Sequence, residues 1–260
     1  MFYEIVLEGM KKFAGEILGV VLLIAALKKF KWIRSLFGEY KNLKEDSGNK
    51  QSEPEINKSD ESKPPIMSDK DFVSLCKSGN VAEIESVINN GANVNARNRN
   101  ITPLMGVLQC NVELTELAEL LIKKGADINA KDNFSNTVLM RAAIRNYTKT
   151  AELLIKYGAN LDAKNNIGVT ALMWAIYKGY TELAELLVKK GADVNAKDNF
   201  SCTALMRAAE YGYTKTAELL IKYGADVDAK SNKGWTALML ALNYSHTETA
   251  DLLRSYGAKE

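Results

Sequence analysis

Thirteen residues, YTKTAELLIKYGA, run from Tyr147 to Ala159 and recur letter for letter from Tyr213 to Ala225. The offset is 66 residues, and a weaker copy, YTELAELLVKKGA, begins midway at Tyr180, so the unit is 33 residues. Threonines open successive units at Thr137, Thr170, Thr203 and Thr236, and glycines close them at Gly158, Gly191, Gly224 and Gly257. A fixed period of this size restricts the chain to a stacked-repeat architecture, because so small a unit cannot bury an apolar face alone and must lean on its neighbours.

An earlier unit, Thr102 to Gly125, carries two extra residues between the same landmarks, expected in the turn within NVELTE, where a surface loop tolerates them. Before it, Asp71 to Ala96 has the closing half of a unit but no opening threonine, and reads as an N-terminal cap. At the other end Ile221 and Lys222 of an inner unit become Arg254 and Ser255, the more polar surface that an end face requires. The chain stops just after Ala258, which reads as a complete array.

Within one unit the periodicity predicts two helices. Thr203 caps the first through its hydroxyl, Leu205, Ala208 and Ala209 share its inner face, and Gly212 breaks it. From Thr214 a second helix places Ala217, Leu220 and Ile221 on one face and ends at Gly224, where a left-handed residue is needed. The turn-rich ADVDAKSN that follows is expected to project as a hairpin finger. The fold class is therefore all-α.

The motifs TPLMGV, TVLMRA, TALMWA, TALMRA and TALMLA, beginning at Thr102, Thr137, Thr170, Thr203 and Thr236, resemble the T-P-L-H-x-A signature of the ankyrin repeat family. GANVNA, GADINA, GANLDA, GADVNA and GADVDA resemble its G-A-D-x-N segment, and the likeness covers roughly residues 69–260. The resemblance implies an ankyrin solenoid with a cap at 69–100 and repeats at 101–133, 134–166, 167–199, 200–232 and 233–260. Two departures stand out. Met105, Met140, Met173, Met206 and Met239 occupy the family's histidine position, where methionine fills space but donates no hydrogen bond, and only Pro103 keeps the proline. Units two and four share LMRAA as well as the second helix, which points to duplication of a two-unit block.

Composition excludes more than it selects. A formal net charge of +2, with lysines alternating with glutamates on the predicted helix surfaces, is too mild for a nucleic-acid partner. Cys76, Cys110 and Cys202 fall at unrelated repeat positions, favouring free thiols in a reducing compartment. His246 is the only histidine and replaces Tyr147, Tyr180 and Tyr213 of the other units, which argues for a structural place in the inter-helix turn. H-E-x-x-H, histidine-based zinc sites, a self-contained triad and the phosphate-cradling glycine motifs are all missing. Glu152, Glu185 and Glu218 recur at one repeat position, whereas an acid/base pair needs two differently tuned environments. The expectation is no catalytic, metal or cofactor site.

By resemblance, a protein partner would bind the concave strip formed by the fingers and the exposed face of the first helices. The position four after each opening threonine reads Gly106, Arg141, Trp174, Arg207 and Leu240; position seven reads Gln109, Ile144, Tyr177, Glu210 and Asn243. The fingers add Phe134, Ile167, Phe200 and Trp235, which either present themselves to a partner or pack on the next finger. Aromatics interleaved with arginines match the composition of interface hot spots. The expected centre is Trp174, flanked by Arg141 and Arg207, and removing Trp174 with Arg207 is expected to abolish binding without lowering the melt.

Residues 1–37 differ from all this. From Ile17 to Leu27 every residue is apolar or glycine, and a helix from Phe13 would span about 22 Å against a hydrocarbon core of about 30 Å. Lys28, Lys29, Phe30, Trp32 and Phe37 could anchor its end. A single-pass anchor, a secretion signal and an in-plane amphipathic helix compete, and LIAALKKFKW offers no clean cleavage site. Membrane contact through residues 13–37, with the basic flank on the inside, would place the repeats in the cytoplasm; the alternative is a secreted or translocated effector. Gly15 and Gly19 have the spacing for weak self-association. Residues 38–67, rich in Lys, Glu, Ser and Asn, have little to bury and read as a disordered linker.

Overall fold

The computed structural model describes residues 67–259. The expected hydrophobic helix at 1–37, with its Gly15–Gly19 spacing, and all of the expected linker but Met67 lie outside the described residues. Among the described residues there are twelve helices and no strand, only isolated bridges at Asn98–Ile101 and Lys131–Thr137. None of these helices is long and apolar enough to cross a membrane.

The helices come in pairs: α1 (Asp69–Cys76) with α2 (Val81–Asn89), α3 (Pro103–Val107) with α4 (Thr115–Lys123), and α5 (Val138–Arg145) with α6 (Thr148–Lys156). The series continues as α7 (Ala171–Tyr177) with α8 (Thr181–Lys189), α9 (Ala204–Glu210) with α10 (Thr214–Lys222), and α11 (Ala237–Asn243) with α12 (Thr247–Ser255). First helices stack on first helices, and from α4 onward second helices stack on second helices. The product is a two-layer solenoid whose core is continuous along the stack.

Each opening threonine does what its chemistry allows. The hydroxyls of Thr102, Thr137, Thr170, Thr203 and Thr236 accept from the N–H of the methionine three residues on, satisfying a donor that the first turn would otherwise leave bare. Four of those methionines are buried, and only Met239 in the last unit is half-buried, so the family's histidine position serves here as core. Leu139, Met140, Ala142 and Ala143 of α5 are fully buried, and a large apolar side chain so placed contributes roughly 1.5–3 kcal/mol. Alanines at two of these positions let neighbouring first helices approach closely.

The cap departs from expectation. It contains both helices of a unit, because Ser68 takes the threonine's place and its hydroxyl accepts from the N–H of Asp71. The extra residues do lie between α3 and α4, and they have a structural use: Glu113 accepts from the N–H of Thr150 at 2.6 Å, capping α6 of the next unit. His246 sits in the α11–α12 turn with Nε2 3.1 Å from the Glu210 carbonyl, and its ring lies where a Cβ on Gly212 (φ +69°) would strike it.

Two ladders join the units outside the core. The last Asn or Asp of each G-A-D-x-N segment accepts from a backbone N–H about one unit on: Asn95 from Asp127, Asn129 from Asn160, Asp162 from Asp193, Asn195 from Asp226, and Asp228 from Lys259. At the fingers, the carbonyls of Phe134, Ile167 and Phe200 accept from the N–H groups of Asn166, Asn199 and Asn232. Successive fingers are thereby zipped by backbone, which leaves the side chains at those positions uncommitted.

Candidate partner-binding face

Finger shape is set at one residue, five positions before the opening threonine. Asp132 accepts through Oδ1 from the N–H groups of Phe134 and Asn136, and through Oδ2 from the Asn136 amide and from Nε and Nη2 of Arg141. Asp198 accepts from the N–H groups of Phe200 and Cys202 and from Arg207 Nη2. Asn165 accepts from the N–H groups of Ile167 and Val169, and Ser231 accepts from the N–H of Trp235. The residue nine positions on varies in step: Asp132 and Asp198 face arginines, Asn165 goes with Trp174, and Ser231 with Leu240. In units two to five a carboxylate stands at the finger base where a guanidinium reaches it, and a neutral group where none does; the first unit has Arg97 there, which donates to the Lys131 carbonyl.

Arg141 and Arg207, expected to flank Trp174, are half-buried partners of buried carboxylates, at 2.7 and 3.0 Å. Arg207 has a second partner in Glu210 at 2.8 Å. Burial opposes its charge, yet the hydrogen bonds it donates to Glu210 and Asp198 outweigh that and hold the guanidinium pKa above its ordinary value. Burial likewise raises the pKa of the neighbouring Cys202 thiol and, in the core, pushes that of Cys76 up to about 12.

Between the third and fourth units lies a cavity of about 240 Å³, lined by Ile167, Val169, Met173, Trp174, Tyr177, Asp198, Phe200 and Arg207. Trp174 and Tyr177 meet edge to face at 5.7 Å, and Tyr177 meets Tyr211 in the same way, so an aromatic run borders the pocket. The finger side chains stand out from the surface: Phe134 is 70% exposed, Phe200 61%, Ile167 50% and Trp235 37%. Among the described residues, Trp174 Nε1 is the buried side-chain polar atom without a hydrogen-bond partner. Leaving such a donor unsatisfied costs about 1–3 kcal/mol.

A second, smaller cavity of about 160 Å³ lies between the first and second units, lined by Leu108, Gln109, Asp132, Phe134, Asn136, Arg141, Ile144 and Arg145. Of the expected binding residues, the structure thus gathers Ile167, Trp174, Tyr177, Phe200 and Arg207 into one pocket, with Glu210 tied to Arg207. It gathers Phe134, Arg141 and Ile144 into the other. Trp235, half-buried Leu240 and exposed Asn243 belong to neither. Gly106 is buried, with the Val73 carbonyl 3.1 Å from where a Cβ would stand, so α1 closes the strip at the first unit. Reasoning from sequence missed Asp132, Asn165 and Asp198, although their variation in step with Arg141, Trp174 and Arg207 was there to find.

A solenoid of capped helix pairs joined by zipped fingers defines the class. The family model of ankyrin repeats (three copies) matches residues 107–198 and 195–260, more than half of the chain, and the protein belongs to that family. No curated protein matches the chain. Ankyrin arrays are protein-interaction scaffolds. Among the described residues, no group of three or more His, Cys, Asp or Glu is placed to hold a metal ion.

Proposed function

We propose that this chain is a non-enzymatic scaffold that docks a protein partner on the concave strip of units two to five, centred on the Trp174 pocket. The observation that carries the reading is the junction of exposed Phe200, Ile167 and Tyr177 with half-buried Trp174 around one apolar cavity. Large side chains kept at a rigid surface, over backbone that is already hydrogen-bonded, are what an interface hot spot requires.

Arg207 is too deeply involved in the finger to serve as a clean test. Tyr177→Ala with Phe200→Ala removes exposed area and leaves the Asp198–Arg207–Glu210 network standing. Partner capture by the full-length chain should fall at least tenfold, by about 1.4 kcal/mol or more, with an unchanged thermal melt. Retained capture would refute the site.

The apolar run at 17–27 and the basic residues that follow it support tethering through residues 13–37, with the repeats on the cytoplasmic side. The segment 38–67, as a flexible linker, would give a reach of roughly 30 Å. Alkaline extraction of membranes, with protease added to intact and opened vesicles, tests this. A pelleted chain cut only on the cytoplasmic side supports the tether, and a soluble chain lacking its first residues favours export.

A further inference from the structure

The two pockets share part of their walls. Asp132, Phe134 and Arg141 recur 66 residues on as Asp198, Phe200 and Arg207, and Gln109 on the wall of the first pocket corresponds to Tyr177 on the wall of the second. Two related pockets two units apart invite one ligand to occupy both. Packed helices lie about 8–10 Å apart, so the pockets are separated by roughly 16–20 Å, which an extended chain at about 3.3 Å per residue spans in about five or six residues.

The two pockets do not ask for the same side chain. The larger is walled by aromatics, and its charges balance: Asp198 and Glu210 against Arg207 and Lys178, whose ammonium lies over the Tyr177 ring. The smaller is cationic. Arg141 is answered by Asp132, but exposed Arg145 on the pocket wall has no ion pair among the described residues. Glu113, the nearby carboxylate, is held by the N–H of Thr150 and is not ion-paired with Arg145. In the fourth unit the position of Arg145 is held by Tyr211 and that of Ile144 by Glu210, so the contrast lies in residues that differ between the two units.

Building on the concave-strip reading, we propose that the partner is an extended segment lying along the stack. It places a bulky aromatic side chain in the Trp174 pocket and an acidic side chain beside Arg145, about six positions away. The charge of the smaller pocket selects the acid, and the shape and neutrality of the larger select the aromatic group. The zipped fingers between them hold the spacing.

The test uses synthetic fluorescent peptides carrying one tryptophan and one glutamate pair, in both orders, separated by about two, six or ten positions. Each is titrated into the full-length chain by anisotropy at low and high salt. One order at the middle spacing should bind about tenfold more tightly than any other, because the second contact is then made within one complex. Arg145→Glu should remove that advantage, as should added salt, and Tyr177→Ala should remove the remaining binding. Binding that Tyr177→Ala abolishes but that ignores spacing and Arg145→Glu would overturn the two-anchor inference while leaving the concave strip in place. Binding indifferent to Tyr177→Ala would overturn both, and absence of binding by every peptide would overturn the inference.

Discussion

Units two and four share LMRAA and an identical second helix, yet they hold their arginines differently. Arg141 has one partner, Asp132, reached by both Nε and Nη2; Arg207 reaches Asp198 through Nη2 and turns Nη1 to Glu210. Ile144 in unit two marks the difference, standing where unit four has Glu210. One substitution on the outer face of a short helix therefore gives the guanidinium behind the finger base a second partner. A repeat protein can vary its binding face at such positions while the threonine cap, the core methionine and the closing glycine stay fixed, because the fixed positions carry the stacking and the variable ones do not.

The largest effect should come from removing the finger-base carboxylates. Asp132→Ala strips the N–H groups of Phe134 and Asn136 of their acceptor and leaves Arg141 with no anion. The expected cost is about 3 kcal/mol, the low end for breaking a buried pair because Arg141 is partly solvated. Asp198→Ala exposes a similar pair of N–H groups, but Arg207 keeps Glu210, and about 2 kcal/mol is expected. Urea unfolding of both variants checks the order. Equal losses would mean that Glu210 does nothing for the finger.

The period, the caps and the closing glycines could be read from sequence because each depends on chemistry within a few residues, repeated in every unit. Thr203 and Met206 need only each other, and Gly224 needs only its own φ of +88°. Glu113 capping Thr150 was not legible, since the contact crosses 37 residues and occurs in only one unit. Of the site, the exposure of the finger residues could be read from sequence, whereas the carboxylate partners of the two arginines were missed. Arg141 and Arg207 look like exposed hot-spot arginines until the carboxylate nine residues earlier is seen to fold back on them.

The caps supply an internal control. Thr137 and Thr203 accept from Met140 and Met206 at the same distance, 3.3 Å, and both are buried. Thr137→Val and Thr203→Val keep the shape and delete the acceptor, so each should cost about 1 kcal/mol. The two losses should agree in the same urea series. Unequal losses would show that the difference between the units extends beneath the surface into the helix start.

The smallest change is the most direct test of the comparison. Ile144→Glu places a carboxylate three residues after Arg141, the spacing at which Glu210 reaches Arg207. Ile144 is half-buried and gives up some apolar contact, while a charge pair three residues apart on a helix contributes about 0.2–0.5 kcal/mol. The net shift in stability should therefore lie within about 0.5 kcal/mol of zero. The informative reading is the double variant. In the Ile144→Glu background, Asp132→Ala should cost about 1 kcal/mol less than it does alone, because Arg141 would keep a partner, as Arg207 does. If the cost is unchanged, the second ion pair of unit four is a surface contact without consequence, and the two units differ in composition but not in how their fingers are held.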